Sequence, residues 1–441
     1  MKVLLTLAIA SATLTSGCVA QADRSYNMPS KGDVLPLNNL TINLGEVTFP
    51  GGKKMQASWG LGSGAYARAD EPNTIYALTD RGVNIKCRDA QKLTGAKICP
   101  DDASGASKIF PFADFNPAII ELTINADKNS VTVQNIIELT DSDGRGITGL
   151  SNPIMKDAKE RGFDIHGKEI TYNPNGMDTE ALVKLKDGSF WVAEEYAASI
   201  AHVSAKGEVL KRLIPKGWKS SFSDANYPVQ AILPEILNKR KSNRGIESIA
   251  INPAETHLYF IMQSPLANPT VADYKKSRNV RLFKMEIANP NNIEQYLYVL
   301  DSPQTFEKDN ANKKRKSSDV KVSEMLAIDN DELLILERIS KTTKLYRVHL
   351  SSGDTVPEKF NNLTTRPTLE QTQHLSIGLA KSLIFNSDHQ QEKFAKKIEG
   401  IAPLGNHKFF LINDNDFGIG SEKTVGKIVK IDVNNPIINN Q

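Results

Sequence analysis

Asp178-Thr179-Glu180-Ala181-Leu182-Val183-Lys184-Leu185-Lys186-Asp187-Gly188-Ser189-Phe190-Trp191-Val192-Ala193-Glu194-Glu195-Tyr196 contains two apolar stretches separated by a Gly-containing turn, with acids at both ends. It predicts a β-hairpin, strands at 181–185 and 190–196. Two more short strands follow, at 200–204 and 208–214, after Ala205-Lys206-Gly207. The hairpin pattern recurs. Glu247-Ser248-Ile249 leads into Leu258–263, Glu324-Met325-Leu326 into 333–338, and Glu399-Gly400-Ile401 into 409–414. Ser63-Gly64-Ala65, without the Glu, leads into 75–81. The Glu recurs after 67, 77 and 75 residues (180 to 247, 247 to 324, 324 to 399), and the step from Ser63 to Glu180 is 117. Such periods mark solenoids, propellers or arrays, and four short antiparallel strands per period point to propeller blades. The expected fold is all-β: a β-propeller of about five to six four-stranded blades, with inserted loops and short helices.

In an antiparallel hairpin the start of one strand and the end of the next lie at the same end. Glu180 is therefore expected beside Glu194 and Glu195, Glu324 beside Glu337, and Glu399 beside Asp414 and Asp416. Blades that all point one way bring these acids to one mouth of the central channel. Crowded carboxylates need cations, protons or basic partners. The alternative for each Glu is that it only binds backbone N–H groups at a blade corner.

The composition is that of an ordinary globular chain: 441 residues, 40% hydrophobic, 24% charged, net charge +3. A nearly neutral balance argues against nucleic acid as a partner. The one dense basic run, Lys313-Lys314-Arg315-Lys316, falls in an insertion at 302–321 and is expected to be a solvated loop.

The first residues form a targeting segment. Lys2 precedes an apolar run at 3–12, too short to span a membrane, and small residues lead to Gly17-Cys18. Leu14-Thr15-Ser16-Gly17-Cys18 resembles a bacterial lipoprotein signal, with Thr15 where Leu is usual; ordinary cleavage after Ala20 is the alternative. Three Cys is an odd number for an exported chain. Cys87 and Cys99, in a polar loop, are expected to form a disulfide, which leaves Cys18 for lipid; two free thiols are the alternative. The expected division is signal 1–17, polar tether 18–38, domain 39–434 and tail 435–441, with a cell-envelope location, periplasmic or anchored to the outer membrane through the N-terminal lipid.

Between the repeats, 140–178 shows little strand pattern and is expected to be a cap over the mouth, with a helix near 152–161. A second inserted helix is expected at 228–241. The last unit counts only three strands, and 40–49 is expected to complete it.

Several of these motifs together resemble the "esterase-like activity of phytase" family of bacteria. They are Asn175-Gly176-Met177-Asp178-Thr179-Glu180 with Phe190-Trp191-Val192-Ala193-Glu194-Glu195-Tyr196, and Asn243-Arg244-Gly245-Ile246-Glu247 with Met262-Gln263-Ser264-Pro265-Leu266. Thr79-Asp80-Arg81-Gly82, Ser323-Glu324 with Glu337-Arg338, and Glu399-Gly400-Ile401 with Asn413-Asp414-Asn415-Asp416-Phe417-Gly418 continue the match. The resemblance implies an exported protein with phosphoester or phytase-like hydrolysis carried by its acids. The chain departs from the family at Gly62-Ser63-Gly64, which lacks the Glu, and at Ala197-Ala198, where Gly-Pro is more usual.

A phosphoesterase must neutralise phosphate and activate water. Oxygen ligands in this number suit Ca²⁺. The expected catalytic set is Glu180, Glu194, Glu195, Glu247, Glu324, Glu337 and Glu399. The expected metal ligands are Asp80, Asp178, Glu180, Glu247, Glu324, Glu399, Asp414 and Asp416. Arg81, Arg244 and Arg338 are expected to clamp a small anionic phosphoester. No Gly-x-Ser-x-Gly elbow occurs in a strand–turn–helix setting, and the seven His show no zinc spacing. A non-catalytic binding propeller, or a Ca²⁺-dependent lactonase-like hydrolase, is the alternative.

Overall fold

The computed structural model describes residues 24–156, 158–372 and 376–435. The expected signal segment, Cys18 and nearly all of the tail lie outside the described residues.

The hairpin that opened the sequence reading forms as a hairpin. Thr179–Lys184 pairs with Phe190–Glu194, then Ser199–Val203 and Val209–Pro215 follow, all antiparallel and in chain order. Its turn is made by local chemistry: Gly188 has φ +88, and the Asp187 carboxylate accepts from the Ser189 N–H at 2.9 Å and its hydroxyl at 2.6 Å. Phe190–Glu194 is buried at every position. That is why the run is apolar throughout and does not alternate: both faces of the strand are covered.

Four other sheets share this plan. The first contains Gly64–Tyr66, Thr74–Leu78, Ala118–Asn125 and Ser130–Glu138, with Val34–Pro36 on its outer edge. The third contains Ile246–Ile251, His257–Met262, Asn279–Glu286 and Ile293–Val299. The fourth contains Lys321–Ala327, Glu332–Arg338, Thr343–His349 and Lys381–Asn386. The fifth has three strands, Ile398–Gly405, Lys408–Asn413 and Gly426–Lys430.

Apolar seams join each sheet to the next. Leu182, Phe190 and Val192 of the second sheet pack on Tyr76, Leu78 and Ile119 of the first. Trp191, Phe260, Tyr298, Ile335 and Tyr346 belong to one cluster running through the second, third and fourth sheets. Leu334 and Leu336 of the fourth meet Phe409 and Leu411 of the fifth, and Phe410 and Ile412 of the fifth meet Ile75 and Ala77 of the first. Each such side chain contributes about 1.5–3 kcal/mol on burial. The first strands of the five sheets likewise pack in succession, and Ile398–Gly405 returns to Gly64–Tyr66.

Three expected features differ. Asn43–Thr48 does not complete the fifth sheet; it pairs with Lys54–Ser58 as a separate hairpin, because Pro50-Gly51-Gly52 turns the chain back on itself. The fifth sheet's outer strand meets the N-terminal chain instead through the Gly426 N–H to Leu37 O at 2.7 Å, and nearby the Leu40 N–H donates to Thr424 O at 2.9 Å. The expected helix at 228–241 begins as a strand, Val229–Leu233, parallel to Val209–Pro215, and only Glu235–Lys239 is helical, as a 3₁₀ turn. Val229, Ile232 and the break at Pro234 explain the preference. The expected helix at 152–161 is a 3₁₀ turn at Pro153–Lys156.

The described part of the segment expected as a tether, from residue 24, is packed on the domain: the Asn27 N–H donates to Leu44 O at 2.7 Å, and Tyr26 lies against Trp59 and Phe115. The insertion at 84–170 builds a small sheet of two-residue strands, Ile85–Lys86, Lys108–Ile109, Gly162–Phe163 and Glu169–Ile170. Cys87 and Cys99 are joined in a disulfide beside it.

Candidate functional site

An extra residue in the first strand of the second, third and fifth sheets aims an acid at a shared cavity. The pairing register slips between Thr179 and Ala181, between Ile246 and Ser248, and between Ile398 and Gly400. The bulged residues are Glu180, Glu247 and Glu399. A bulge re-aims a side chain at a strand end, which is what these three need to leave the seams. In the fourth sheet the slip lies between Val322 and Glu324, so the bulged residue is Ser323. The first sheet has Ser63 at the matching position, between two closely packed glycines: a Cβ on Gly62 would lie 2.1 Å from Asn413 O, and one on Gly64 would lie 2.8 Å from Glu180 O.

The first sheet contributes Asp80 instead, from the loop after Thr74–Leu78. Thr79 anchors that loop: its hydroxyl accepts from the Ala118 N–H at 3.0 Å and its carbonyl accepts from the Thr179 hydroxyl at 2.6 Å. The Asp80 carboxylate accepts from the Gly82 N–H at 2.9 Å, and Gly82 adopts φ +87.

The cavity is about 290 Å³ and is lined by Asp80, Asp178, Glu180, Glu195, Glu247, Glu399, Asp414 and Asp416, together with Arg81, Lys86, Lys108, Lys321 and Arg338. Two triads of carboxylates lie within ligand reach: Asp80, Asp178 and Glu180, then Glu180, Glu247 and Glu399, with the donor oxygens of each triad within 4.8 Å of one another. Burial first, then Glu247, Asp178, Glu195 and Asp80, hold the Glu180 carboxyl well above the usual range. Burial, then Asp414 and Asp178, do the same to Asp80. Burial and the carboxylates of Glu195 and Glu194 push Asp178 up to about 8, against Arg81 and Lys108. Burial and Glu247 push Glu195 up to about 8, against Arg244 and Lys321. Burial, then Asp416, push Asp414 up to about 7. One oxygen each of Glu195 and Glu247 is buried without a hydrogen-bond partner.

Three of the expected acids lie elsewhere. Glu194 is fully buried and occupied: it accepts from the Tyr196 N–H at 3.0 Å, the Ala197 N–H at 2.7 Å, the Ser199 hydroxyl at 3.0 Å and Arg212 Nη2 at 3.0 Å. Those bonds fasten the turn in which Ala198 takes φ +46, where the resembled family more often has Gly-Pro. Glu337 is held by the Tyr298 hydroxyl at 2.6 Å, the Asp301 N–H at 2.9 Å and Lys381. Glu324, one residue past the bulge, turns inward among the first strands, where it accepts from the Ser248 hydroxyl at 2.6 Å and the Ala65 N–H at 3.3 Å.

The expected phosphate clamps are largely engaged. Arg81 gives hydrogen bonds to Gly149 O at 2.8 Å, Glu160 at 3.2 Å and Ser151 at 3.1 Å, and stacks on Tyr196 with its guanidinium 4.0 Å from the ring centre. Arg338 donates to Ser323 Oγ at 2.8 Å and pairs with Glu399. Arg244 bonds Gln263 and sits at the edge, outside the lining set. Asp416 pairs with Lys397.

Two basic residues absent from the sequence reading take their place. Lys108, on the small sheet, is buried and reaches Asn84 Oδ1 at 2.5 Å; burial lowers its ammonium to about 8. Lys321 opens the fourth sheet opposite Arg338, and burial, then Arg244 and Arg338, draw its ammonium well below the usual lysine range. The sequence carried one signal for Lys321, its place five residues after the basic run in the strand-opening position. It carried none for Lys108.

Residues 57–417 match the family model named phytase-like, esterase-like activity of phytase, and the chain belongs to that family. It is 26% identical, over 317 residues, to an uncharacterized secreted protein of Arthroderma benhamiae; the match covers 65% of this chain and 57% of that relative's length. Among solved structures it is similar to the PQQ-bound aldose sugar dehydrogenase of Streptomyces coelicolor, with 9% identity and a TM-score of 0.32, covering 91% of this chain and 99% of that one. It is similar to a luciferin-regenerating enzyme with 10% identity and a TM-score of 0.33, covering 87% and 94%. Likeness at these scores carries no functional weight.

Proposed function

We propose that this chain is an exported, metal-assisted phosphoester hydrolase whose five sheets are the blades of a propeller, with the acidic cavity at one mouth of its channel. The observation that carries the reading is the pair of overlapping carboxylate triads, in a cavity also lined by Lys108 and Lys321. The five acids of the triads offer oxygen donors only, with no His or Cys, which is the donor set of a hard cation such as Ca²⁺. A cation bound there would supply Lewis-acid stabilisation of the phosphate oxygens and a more acidic water. Asp80, Asp178, Glu180, Glu247 and Glu399 would hold it. Lys108 and Lys321 would meet the anionic substrate that carboxylates alone repel, beside Arg338, which Ser323 and Glu399 hold at the cavity wall. Glu195 holds a proton near neutrality and has one free oxygen, as a group that protonates a leaving oxygen requires.

Purified mature protein is expected to cleave a generic aryl phosphate in Ca²⁺ and to lose that activity in chelator. Binding of the phosphoester without turnover in either condition would replace this reading with that of a ligand-binding propeller, which the engagement of Arg81 with Glu160 favours.

Export rests on the N-terminal segment and on the secreted relative. With Cys18 lipidated the chain would face the periplasm from a membrane. Cys18→Ala is expected to move it from the membrane to the soluble fraction; unchanged fractionation would remove the lipid from the proposal.

A further inference from the structure

The two carboxylate triads share one residue, Glu180. Two ligand oxygens of a single Ca²⁺ stand at most about twice its 2.3–2.6 Å bond length apart. The 4.8 Å reach within each triad meets that limit. Among the described residues the reach holds triad by triad, and Asp80 and Asp178 are not grouped with Glu247 and Glu399. At that reach the two sets do not merge into one.

A second observation points to ligands and not merely to crowded acids. Glu247 is 2% exposed, lines the cavity, and leaves Oε2 with no hydrogen-bond partner. A buried, unpaired carboxylate oxygen costs free energy unless something positive meets it. The charges that bear most strongly on Glu180 are all carboxylates: Glu247, Asp178, Glu195 and Asp80. Lys321, Arg338 and Arg244 act on Glu247 through space, but none of them hydrogen-bonds its Oε2. Arg338 pairs with Glu399, Arg81 with Glu160 and Lys397 with Asp416.

We infer that the cavity takes two hard divalent cations, one in the Asp80–Asp178–Glu180 triad and one in the Glu180–Glu247–Glu399 triad, bridged by the Glu180 carboxylate. The inference deepens the proposed metal use and rests on it. Paired sites of this kind clamp both the attacking and the leaving oxygen of a displacement at phosphorus. The substrate class that matches is a phosphomonoester or diester small enough for the cavity. Lys108 and Lys321 remain to face the phosphate oxygens directed away from the ions.

The test is ion stoichiometry on chelator-stripped, full-length mature protein, by equilibrium dialysis and calorimetry with Ca²⁺, without substrate. Two ions per chain are expected. Asp80→Asn and Glu247→Gln should each retain one, and Glu180→Gln should lose at least tenfold in affinity at both sites. A wild-type chain that takes a single ion overturns the inference, and so does a Glu180→Gln chain that keeps both at full affinity. Should a variant fail to fold, wild type loaded with Mn²⁺ decides alone: bridged ions give a spin-coupled pair signal, and an uncoupled mononuclear spectrum overturns the inference. The two readings fail separately. One bound ion leaves the proposed hydrolase standing and removes the pair. Two bound ions with no phosphoester cleaved remove the hydrolase and leave the pair. No bound ion removes the metal from both.

Discussion

Glu194 and Glu180 lie on neighbouring strands of one hairpin, at the same end. Glu194 accepts from two backbone N–H groups, a hydroxyl and the guanidinium of Arg212. Glu180 faces four other carboxylates. The fourth sheet repeats the saturated half of the contrast, with Glu337 enclosed by Tyr298, the Asp301 N–H and Lys381. The difference is one of strand geometry. Glu194 and Glu337 stand in regular register and point into the packing between elements, where a charge survives only if it is fully bonded. Glu180, Glu247 and Glu399 occupy bulges, which turn them out of the seams and toward one another. Chemically identical residues on one hairpin thus serve either to hold a corner or to furnish a site.

The largest effect expected from breaking this contrast is at the saturated acid. Glu194→Ala leaves Arg212, which is fully buried, without its carboxylate. A buried pair broken on one side costs about 3–5 kcal/mol. Urea denaturation should show that loss, with or without Ca²⁺. A loss below about 1 kcal/mol, the scale of a surface pair, would mean that Glu194 is not the anchor of its corner.

At the crowded acid the sign reverses. The folded state raises the Glu180 carboxyl above its unfolded range, so ionising it near neutral pH works against folding. Glu180→Gln removes that burden. In chelator at pH 7 the variant should be more stable than wild type, with a higher urea midpoint. In Ca²⁺ the order should invert, because only wild type gains from ligand binding. A variant less stable than wild type in chelator would show that Glu180 has a structural partner in the folded chain.

This contrast also marks how far the sequence could be read. The five hairpins, their Gly turns and the convergence of Glu180, Glu247 and Glu399 with Asp414 follow from strand alternation and hairpin direction, both of which are local. Glu324 was misplaced by a single residue. Glu180 stands seven residues before the centre of its hairpin at Asp187, and Glu399 seven before Asn406, but Glu324 stands six before Asn330. Counting back from the turn, and not aligning on Glu, puts Ser323 at the bulge and Glu324 at the position held by Ala181, Ser248 and Gly400. Those small residues leave the space that the Glu324 side chain fills. The partners that silence Glu194 and Glu337 were beyond local reasoning, since Arg212 and Lys381 arrive from later strands. Lys108 was further still, because it is placed by strands only two residues long that form only when the insertion folds back on itself.

The smallest expected effect tests the saturated class from its acid side. Asp301 shares Lys381 with Glu337 and also receives Lys344 Nζ at 2.7 Å, the Tyr346 hydroxyl at 2.6 Å and the Thr305 hydroxyl at 2.8 Å. Burial alone would raise its carboxyl; Lys381, Lys344 and Tyr346 overcome that and bring it down to about 2. An unfolded Asp titrates near 3.9, so the ionised form is favoured by folding. The stabilisation is therefore fully present above about pH 4 and fades as the pH falls through the unfolded value toward 2. Part of the group is in contact with solvent, which reduces the contribution to about 1 kcal/mol. Asp301→Asn should cost about that much at pH 6 and progressively less on acidification toward pH 2, so that the denaturation midpoints of variant and wild type draw together. The raised acids of the cavity, Asp80, Asp178, Glu180, Glu195, Glu247 and Asp414, act in the opposite direction and at higher pH: protonating them as the pH falls toward their unfolded values near 4 relieves repulsion. Midpoints that stay equally separated from pH 6 to pH 2 would mean that Asp301 is not held ionised by its lysines, and the line between bonded and unbonded carboxylates would have to be redrawn at that seam.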